Sequence, residues 1–388
     1  MQKKRILLFA CDEYIQVCRM PRHLKAAGFQ VAAVAREGNS LLLSTHLDKK
    51  LTFETNIGTI TGLFPYLNKA CKTFAPHIII PCDEFAVNAL NYLYGHLNQN
   101  DLQAANLKQL IRFSRGDPNF YKTVRHKHMS SELAAKIGIR IPVQMPCNGL
   151  EDIEAFAEEH DYPVVVKGAH GLAGSQVKIL ENFAAAQRAE PKLPSLGDSV
   201  IQQYIVGKTA LSSAVALDGQ VLAVGVYVKE ACADGGIGYS TVVRFIEHPE
   251  IIEHTKKFAR ATKISGIFSL DFMLDDHNKS YFIECNPRPI ETSHQGRLTG
   301  VDIFKGLIAG LNGQPYEGKP KYNTMIAHFP KEWGRDPNSE YLKNAIHDVP
   351  WDEPNLVEYF VERVNSDRRK ATAHTLKSSL KMSLAQHS

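Results

Sequence analysis

Short apolar runs alternating with amphipathic stretches organise the first third of the chain. Residues 6–10 are uniformly apolar, as in a strand buried on both faces. Residues 14–27 read as a helix that stops at Gly28, a residue suited to a C-terminal cap. Residues 30–35 form a second strand, 60–74 a helix closed by Ala75-Pro76, and 77–81 a strand that feeds a helix over 85–94. Strands alternating with helices predict an open parallel α/β unit. Such sheets bind ligands beyond the carboxyl ends of their strands, so Cys11-Asp12-Glu13 and Cys82-Asp83-Glu84 are candidate substrate-side edges. Asp83 reads equally well as the N-cap of the following helix. No GxGxxG follows the first strand, which disfavours a dinucleotide site.

A new segment opens at Asp117-Pro118, with a helix over 121–136 that stops at Gly138 and an extended stretch over 139–142. A helix over 150–160 leads to a β-branched strand that ends in Lys167. The glycine-rich residues 168–176 and a strand over 177–180 complete a hairpin, a shape that folds backbone amides over phosphates. It is no P-loop, because the GxxxxGK[ST] order is absent and no helix follows. An apolar strand over 199–207, a hairpin turning at Asp218-Gly219, a glycine-rich loop over 234–238, a strand over 242–245 and a helix over 249–262 come next.

The pattern then yields a hairpin, 268–274 returning over 281–283 through the turn 275–279. Same-face residues recur every second position, which brings Asp271, Glu284 and Asn286 near one another. Two carboxylates and an amide oxygen beside Arg288 are hard-oxygen ligands for Mg²⁺ on a polyphosphate. An ordinary charged surface hairpin is the competing reading. It is weakened because Glu284 and Asn286 interrupt an apolar strand, where an unpaired charge is costly. From Tyr322 onward the pattern is weak. Residues 356–364 fit a helix or a strand, and the segment is expected to finish the last lobe and partly cover the site.

Composition narrows the class. The 388 residues suffice for two or three domains, and 44% hydrophobic with 22% charged residues is ordinary for a globular protein. A net charge of +4 gives no case for nucleic acid. The basic residues that gather at 368–370 and 377–381 lie in a Ser-rich stretch that reads as a frayed or loosely docked terminus. The N-terminal apolar run is too short for a signal peptide, and no stretch is long enough to span a membrane. The seven cysteines lack CxxC or metal spacing and read as reduced thiols of a cytoplasmic protein. Cys285 is expected to face away from the metal. No Ser/His/Asp or Cys/His constellation stands out.

The order of these features resembles the ATP-grasp superfamily over residues 6–311, in the branch with biotin carboxylase, carbamoyl-phosphate synthetase and the carboxylate–amine ligases. The resemblance implies a mixed α/β and α+β chain: an N-terminal open parallel α/β domain (1–116), then a two-lobed ATP-grasp domain. Its small lobe, with linker helix and glycine loop, spans 117–205. Its large lobe, with the metal hairpin and a C-terminal extension, spans 206–388. By the same resemblance Lys127, with Lys122 as its rival, and Lys167 contact nucleotide phosphates. Gly171, Leu172, Ala173, Gly174 and Ser175 close over them, while Gln202, Gln203, Tyr204 and Ile205 hold adenine. The usual acid near Gln203 is missing. Asp271, Glu284 and Asn286 hold Mg²⁺, with Mn²⁺ as a substitute, and Arg288 meets the transferred phosphoryl group. Arg244, from the lobe that faces the reacting end, is expected to bind the carboxylate substrate, while His294 and Gln295 either touch the acceptor or only support the site, the second reading being at least as strong.

The implied reaction is ATP-dependent joining of a carboxylate to an amine through an acyl phosphate, on small molecules such as amino acids, in a family where homodimers are frequent. Two alternatives stand beside it: a carboxylase- or kinase-like enzyme making carboxyphosphate or an acyl phosphate, and a non-catalytic nucleotide-binding protein. A biotin-attachment Met-Lys-Met is absent.

Overall fold

The structure, a computed structural model, describes residues 3–54, 58–168, 177–189, 199–233 and 238–385, with side chains up to residue 370. Its N-terminal sheet is parallel and four-stranded, in the order β3-β2-β1-β4. The strands are β1 (Arg5–Ala10), β2 (Gln30–Arg36), β3 (Lys49–Phe53) and β4 (Ile78–Pro81). The helix expected over 14–27 is split into a 3₁₀ turn, Ile15–Val17, and α1 (Met20–Ala27). Pro21 explains the break: it has no N–H to donate, so it starts a helix rather than continuing one. Helices α2 (Phe64–Phe74), α3 (Glu84–His96) and α4 (Leu102–Arg115) complete this part. Sequence periodicity did not mark α4.

Residues 121–136 are not one helix. Turns run to Arg125, His126 is extended at φ −89° and ψ 118°, and α5 covers Lys127–Lys136. A second, antiparallel sheet follows in the order β5-β8-β6-β7. It is built from β5 (Gln144–Pro146), β6 (Val164–Gly168), β7 (Val177–Leu180) and β8 (Ser199–Gln203). It carries α6 (Leu150–His160) and α7 (Phe183–Ala189). Strand β8 ends at Gln203, short of the expected 207.

The chain crosses to the third sheet at Gly207, where φ is +154° and a Cβ would lie 1.8 Å from the Leu274 carbonyl oxygen. Only glycine fits that close approach. This sheet has seven strands in the order β13-β12-β9-β10-β11-β14-β15. They are β9 (Lys208–Leu217), β10 (Gln220–Cys232), β11 (Ser240–Ile246), β12 (Gly266–Leu274), β13 (Ser280–Asn286), β14 (Met325–Ala327) and β15 (Ile346–His347). Helix α8 (Pro249–Thr262) covers one face. Val124, Ala134 and Ile139, from α5 and its flanks, join the same core as Phe268 and Phe272. The linker helix therefore packs on the large sheet, although the sequence grouped it with the small lobe.

The N-terminal sheet shares a core with the large lobe. Ile6, Leu8 and Ile80 meet Val215, Ala223, Phe304 and Leu307. The C-terminal segment does extend the large sheet, through β14 and β15. Its long last helix, Pro354–Ala385, packs Leu356 and Phe360 against Cys18 of the N-terminal part. Residues 368–370, read from sequence as the start of a frayed terminus, belong to this helix, and the Arg368 guanidinium lies over the Trp333 ring. Among the described residues no helix is long and apolar enough to cross a membrane.

Candidate active-site cleft

The β12–β13 ladder sets Asp271 directly opposite Glu284 and Ser269 opposite Asn286. The apolar partners of this alternation point the other way. Phe272 and Phe282 pack edge to face, and Phe282 stacks on Phe258 of α8. Cys285 is buried on that side, away from the carboxylates, as expected. One face of the hairpin is therefore core, and the other floors a cleft of about 1120 Å³ between the three sheets.

The two carboxyls titrate apart. Burial, then the neighbouring Glu284 charge, pushes Asp271 up to about 6. Burial also raises Glu284, but the ammonium of Lys127, 2.8 Å away, outweighs it and leaves this carboxyl below its ordinary value. A desolvated pair that one lysine cannot hold fully ionised suits a divalent cation, and Asn286 and Ser269 add oxygen donors nearby. No cluster of three or more His, Cys, Asp or Glu side chains among the described residues is arranged to hold a metal unaided. Ligands from a bound phosphate would have to complete the coordination.

Lys127 reaches Glu284 because α5 begins at that residue and packs along β13. Lys122 lies exposed in the preceding turns and does not line the cleft. On the opposite wall Lys167 donates to the side-chain oxygen of Gln202, whose amide nitrogen donates to Gln144 at 2.9 Å. Burial, reinforced by Lys127 and opposed by Glu284, brings the Lys167 ammonium down to about 8. Gln203, the last residue of β8, and Tyr204 and Ile205 just past it line the cleft. The amide of Gln203 is spent on the Val143 carbonyl at 2.9 Å, whereas those of Tyr204 and Ile205 meet no backbone acceptor among the described residues. Gly171, Leu172, Ala173, Gly174 and Ser175 lie outside the described residues, although Gly168 and Val177 on either side line the cleft.

Arg288 enters the cleft from the end of β13 and is only 6% exposed. Its Nε donates to Glu84 at 2.7 Å and one Nη to the Tyr14 hydroxyl at 2.9 Å. Arg244 does not line the cleft: its Nε donates to Glu230 at 2.6 Å, and Glu230 is the residue that faces inward. His294 and Gln295 do not line it either. His294 is buried beneath and shares Asp348 with Arg19, through Nε2 at 2.8 Å. Of the two readings open for His294 and Gln295, the supporting position is the one this geometry fits.

Residues that sequence reasoning missed complete the far wall. Glu291 faces inward and is ion-paired with Lys331, while His328 approaches it at 3.1 Å. Burial raises the Glu291 carboxyl, but His328 and then Lys331 reverse this and hold it at about 2. Lys331 lies in a segment without periodicity, so no pattern pointed to it. Glu84 was signalled only as an edge of the first sheet.

Residues 130–293 match the ATP-grasp domain family, so the chain carries an ATP-grasp domain. Over 322 residues it is 25% identical to the multifunctional protein pyr-3 of Neurospora crassa, a match that covers 78% of this chain and 16% of that protein. It is 26% identical over 320 residues to the 2-oxoglutarate carboxylase small subunit of Hydrogenobacter thermophilus, covering 76% of this chain and 64% of the relative. The chain thus spans less than two thirds of the length of these relatives. Among solved structures, the N5-carboxyaminoimidazole synthetase of Staphylococcus aureus in complex with ADP shares the fold at a TM-score of 0.62. Identity there is 14%, over 84% of this chain and 82% of that one. An L-amino acid ligase from Bacillus licheniformis has a TM-score of 0.57 and 14% identity, over 84% of this chain and 79% of that one.

Proposed function

From an ATP-grasp domain spanning residues 130–293, we propose that this chain is an ATP-dependent carboxylate–amine ligase. The observation that carries the reading is the charge arrangement of one cleft: Asp271 opposite Glu284, with Lys127, Lys167 and Arg288 around them. That set matches a nucleoside triphosphate, whose several negative charges need a divalent cation and fixed cations together.

Adenine lies between the small and large sheets, against the amides of Tyr204 and Ile205, which meet no backbone acceptor among the described residues. Lys127 and Lys167 bind phosphate oxygens. Asp271, Glu284 and Asn286 hold Mg²⁺, for which Mn²⁺ is a competent substitute, and the ion supplies charge neutralisation at the phosphates. The remaining N–H donors of Arg288 orient the γ-phosphoryl group and the carboxylate that attacks it.

The substrate carboxylate oxygen attacks the γ-phosphorus, and the bond from phosphorus to the bridging oxygen of ADP breaks with its electrons passing to ADP. The acyl phosphate remains in the cleft. An amine nitrogen then attacks the acyl carbon, phosphate leaves with the C–O electron pair, and the amine proton passes to solvent. Positioning rather than a protein nucleophile drives both steps. A volume of about 1120 Å³ exceeds what one nucleotide needs and leaves room for a second substrate.

A second reading follows from the carboxylase relatives. In it bicarbonate takes the place of the carboxylate, giving carboxyphosphate and then a carboxylated amine. The solved biotin carboxylase domain of Hydrogenobacter thermophilus, described as a complex with MgADP and bicarbonate, favours this variant. We place the protein in the reducing cytoplasm, which suits cysteines scattered without CxxC or metal spacing, as a homodimer like that domain. Purified protein with MgATP, screened against amino acids and bicarbonate for phosphate release and product mass, tests the proposal. A condensed product with ADP supports it. Hydrolysis of ATP unaffected by any carboxylate or amine would count against it.

A further inference from the structure

The Asp83 carboxylate ties two distant parts of the N-terminal sheet together. One oxygen caps α3 by accepting from the Ala86 amide at 2.7 Å. The other accepts from the amides of Cys11 at 2.7 Å and Asp12 at 3.1 Å. The side chain is 3% exposed, so these bonds form out of competition with water. The loop after β1 and the first turn of α3 are thereby fixed against each other. Tyr14 sits on that loop and Glu84 on that turn.

Both residues converge on Arg288, which follows β13 of the large sheet. Glu84 accepts from Nε at 2.7 Å across 204 residues, and the Tyr14 hydroxyl accepts from Nη1 at 2.9 Å. The guanidinium carbon also lies 4.7 Å from the centre of the Tyr14 ring. A second Nη1 bond, to the Pro289 carbonyl at 3.3 Å, fills that nitrogen. Nη2 has no protein acceptor among the described residues. All three side chains line the cleft.

We propose that Glu84 and Tyr14 are positioning residues of the ligase, which hold the Arg288 guanidinium in one orientation so that only its Nη2 donors reach the transferring phosphoryl group. The proposal rests on the ligase reading above and deepens it. An arginine loses much rotamer freedom on binding unless its planar fork is already set. Glu84 also neutralises part of the charge of Arg288, so the pair favours orientation over simple attraction for an anion. This makes the N-terminal α/β domain a contributor to the phosphoryl-transfer step as well as to substrate binding.

Turnover, ATP KM and MgADP affinity measured on the full chain separate the cases. Glu84→Gln keeps the volume but loses the charge-assisted bond. It is expected to lower kcat about 10- to 100-fold with ATP KM and MgADP affinity changed less than about twofold. Tyr14→Phe keeps the ring and is expected to lower kcat about 2- to 10-fold. After Arg288→Lys, adding Glu84→Gln is expected to cost little more, because the two act through one group. Full kcat in Glu84→Gln and Tyr14→Phe, in an enzyme that turns over, overturns this proposal and leaves the ligase reading intact. An unmodified protein that neither binds MgADP nor releases phosphate sinks both. Should Glu84→Gln fail to fold, Tyr14→Phe and the Arg288→Lys pairing with it carry the same test.

Discussion

Asp271 stands directly opposite Glu284 in the β12–β13 ladder, and the two carboxyls are driven apart: one to about 6 by burial, the other downward by Lys127. Divalent-cation binding requires both as carboxylates, so MgADP affinity is expected to weaken as pH falls from 7 to 5. The sign reverses for stability without metal. Asp271 holds its proton more tightly when folded than at its ordinary 3.8, so its contribution is present below that value and is lost as pH rises toward 6. Calorimetric titration with MgADP and thermal melts without it, across the same pH range, check the opposite slopes. Glu284→Gln is expected to abolish turnover while leaving the melt of the nucleotide-free protein close to that of the parent.

Lys127, and not Lys122, is the residue that borders the carboxylates. Lys127→Met is expected to weaken MgADP binding about 10- to 100-fold, the worth of a charge-assisted contact. Lys122→Met lies in exposed turns and is expected to shift stability by less than about 0.5 kcal/mol with no effect on binding. Isothermal titration of both variants decides which lysine the nucleotide uses.

Lys167 titrates near 8 because it is buried. Above that value it loses the charge that attracts phosphate, so nucleotide affinity is expected to fall again between pH 8 and pH 10. With Asp271 on the acid side, the affinity profile should be bell-shaped. Lys167→Gln should flatten the alkaline limb and leave the acid limb in place.

Phe282 is fully buried behind the metal-facing strand, between Phe258 and Phe272. Phe282→Ala is expected to cost about 3–5 kcal/mol through lost burial and the cavity left behind. Denaturant unfolding measures it, and a variant within about 1 kcal/mol of the parent would contradict this packing.

Asp348 is buried between Arg19 and His294, and these partners hold its carboxyl far below the ordinary range. Asp348→Asn leaves Arg19 buried with weaker compensation and is expected to cost about 3–5 kcal/mol. Because the folded pKa is depressed, the stability that Asp348 provides is present above its ordinary 3.8 and is lost as pH falls below it. The variant should therefore lose less stability on acidification than the parent.

Local pattern alone determined much of this protein. The alternation of strands and helices, the caps at Gly28 and Asp83, and the two-residue periodicity of the hairpin all act through neighbours in sequence. The period of a strand placed Glu284 and Asn286 on one face, and a break in an apolar run is visible without a fold. Tertiary structure alone decided which charges meet. Lys127 faces Glu284 only because α5 packs on the large sheet. Glu84 and Tyr14 reach Arg288 only because the first sheet shares a core with the last. Arg244 resembled a substrate ligand in sequence, and its ion pair with Glu230 turned it aside. Such pairings depend on chain segments brought together by nonlocal burial, whose energy is spread over the whole core and leaves no local signature at the residues it joins.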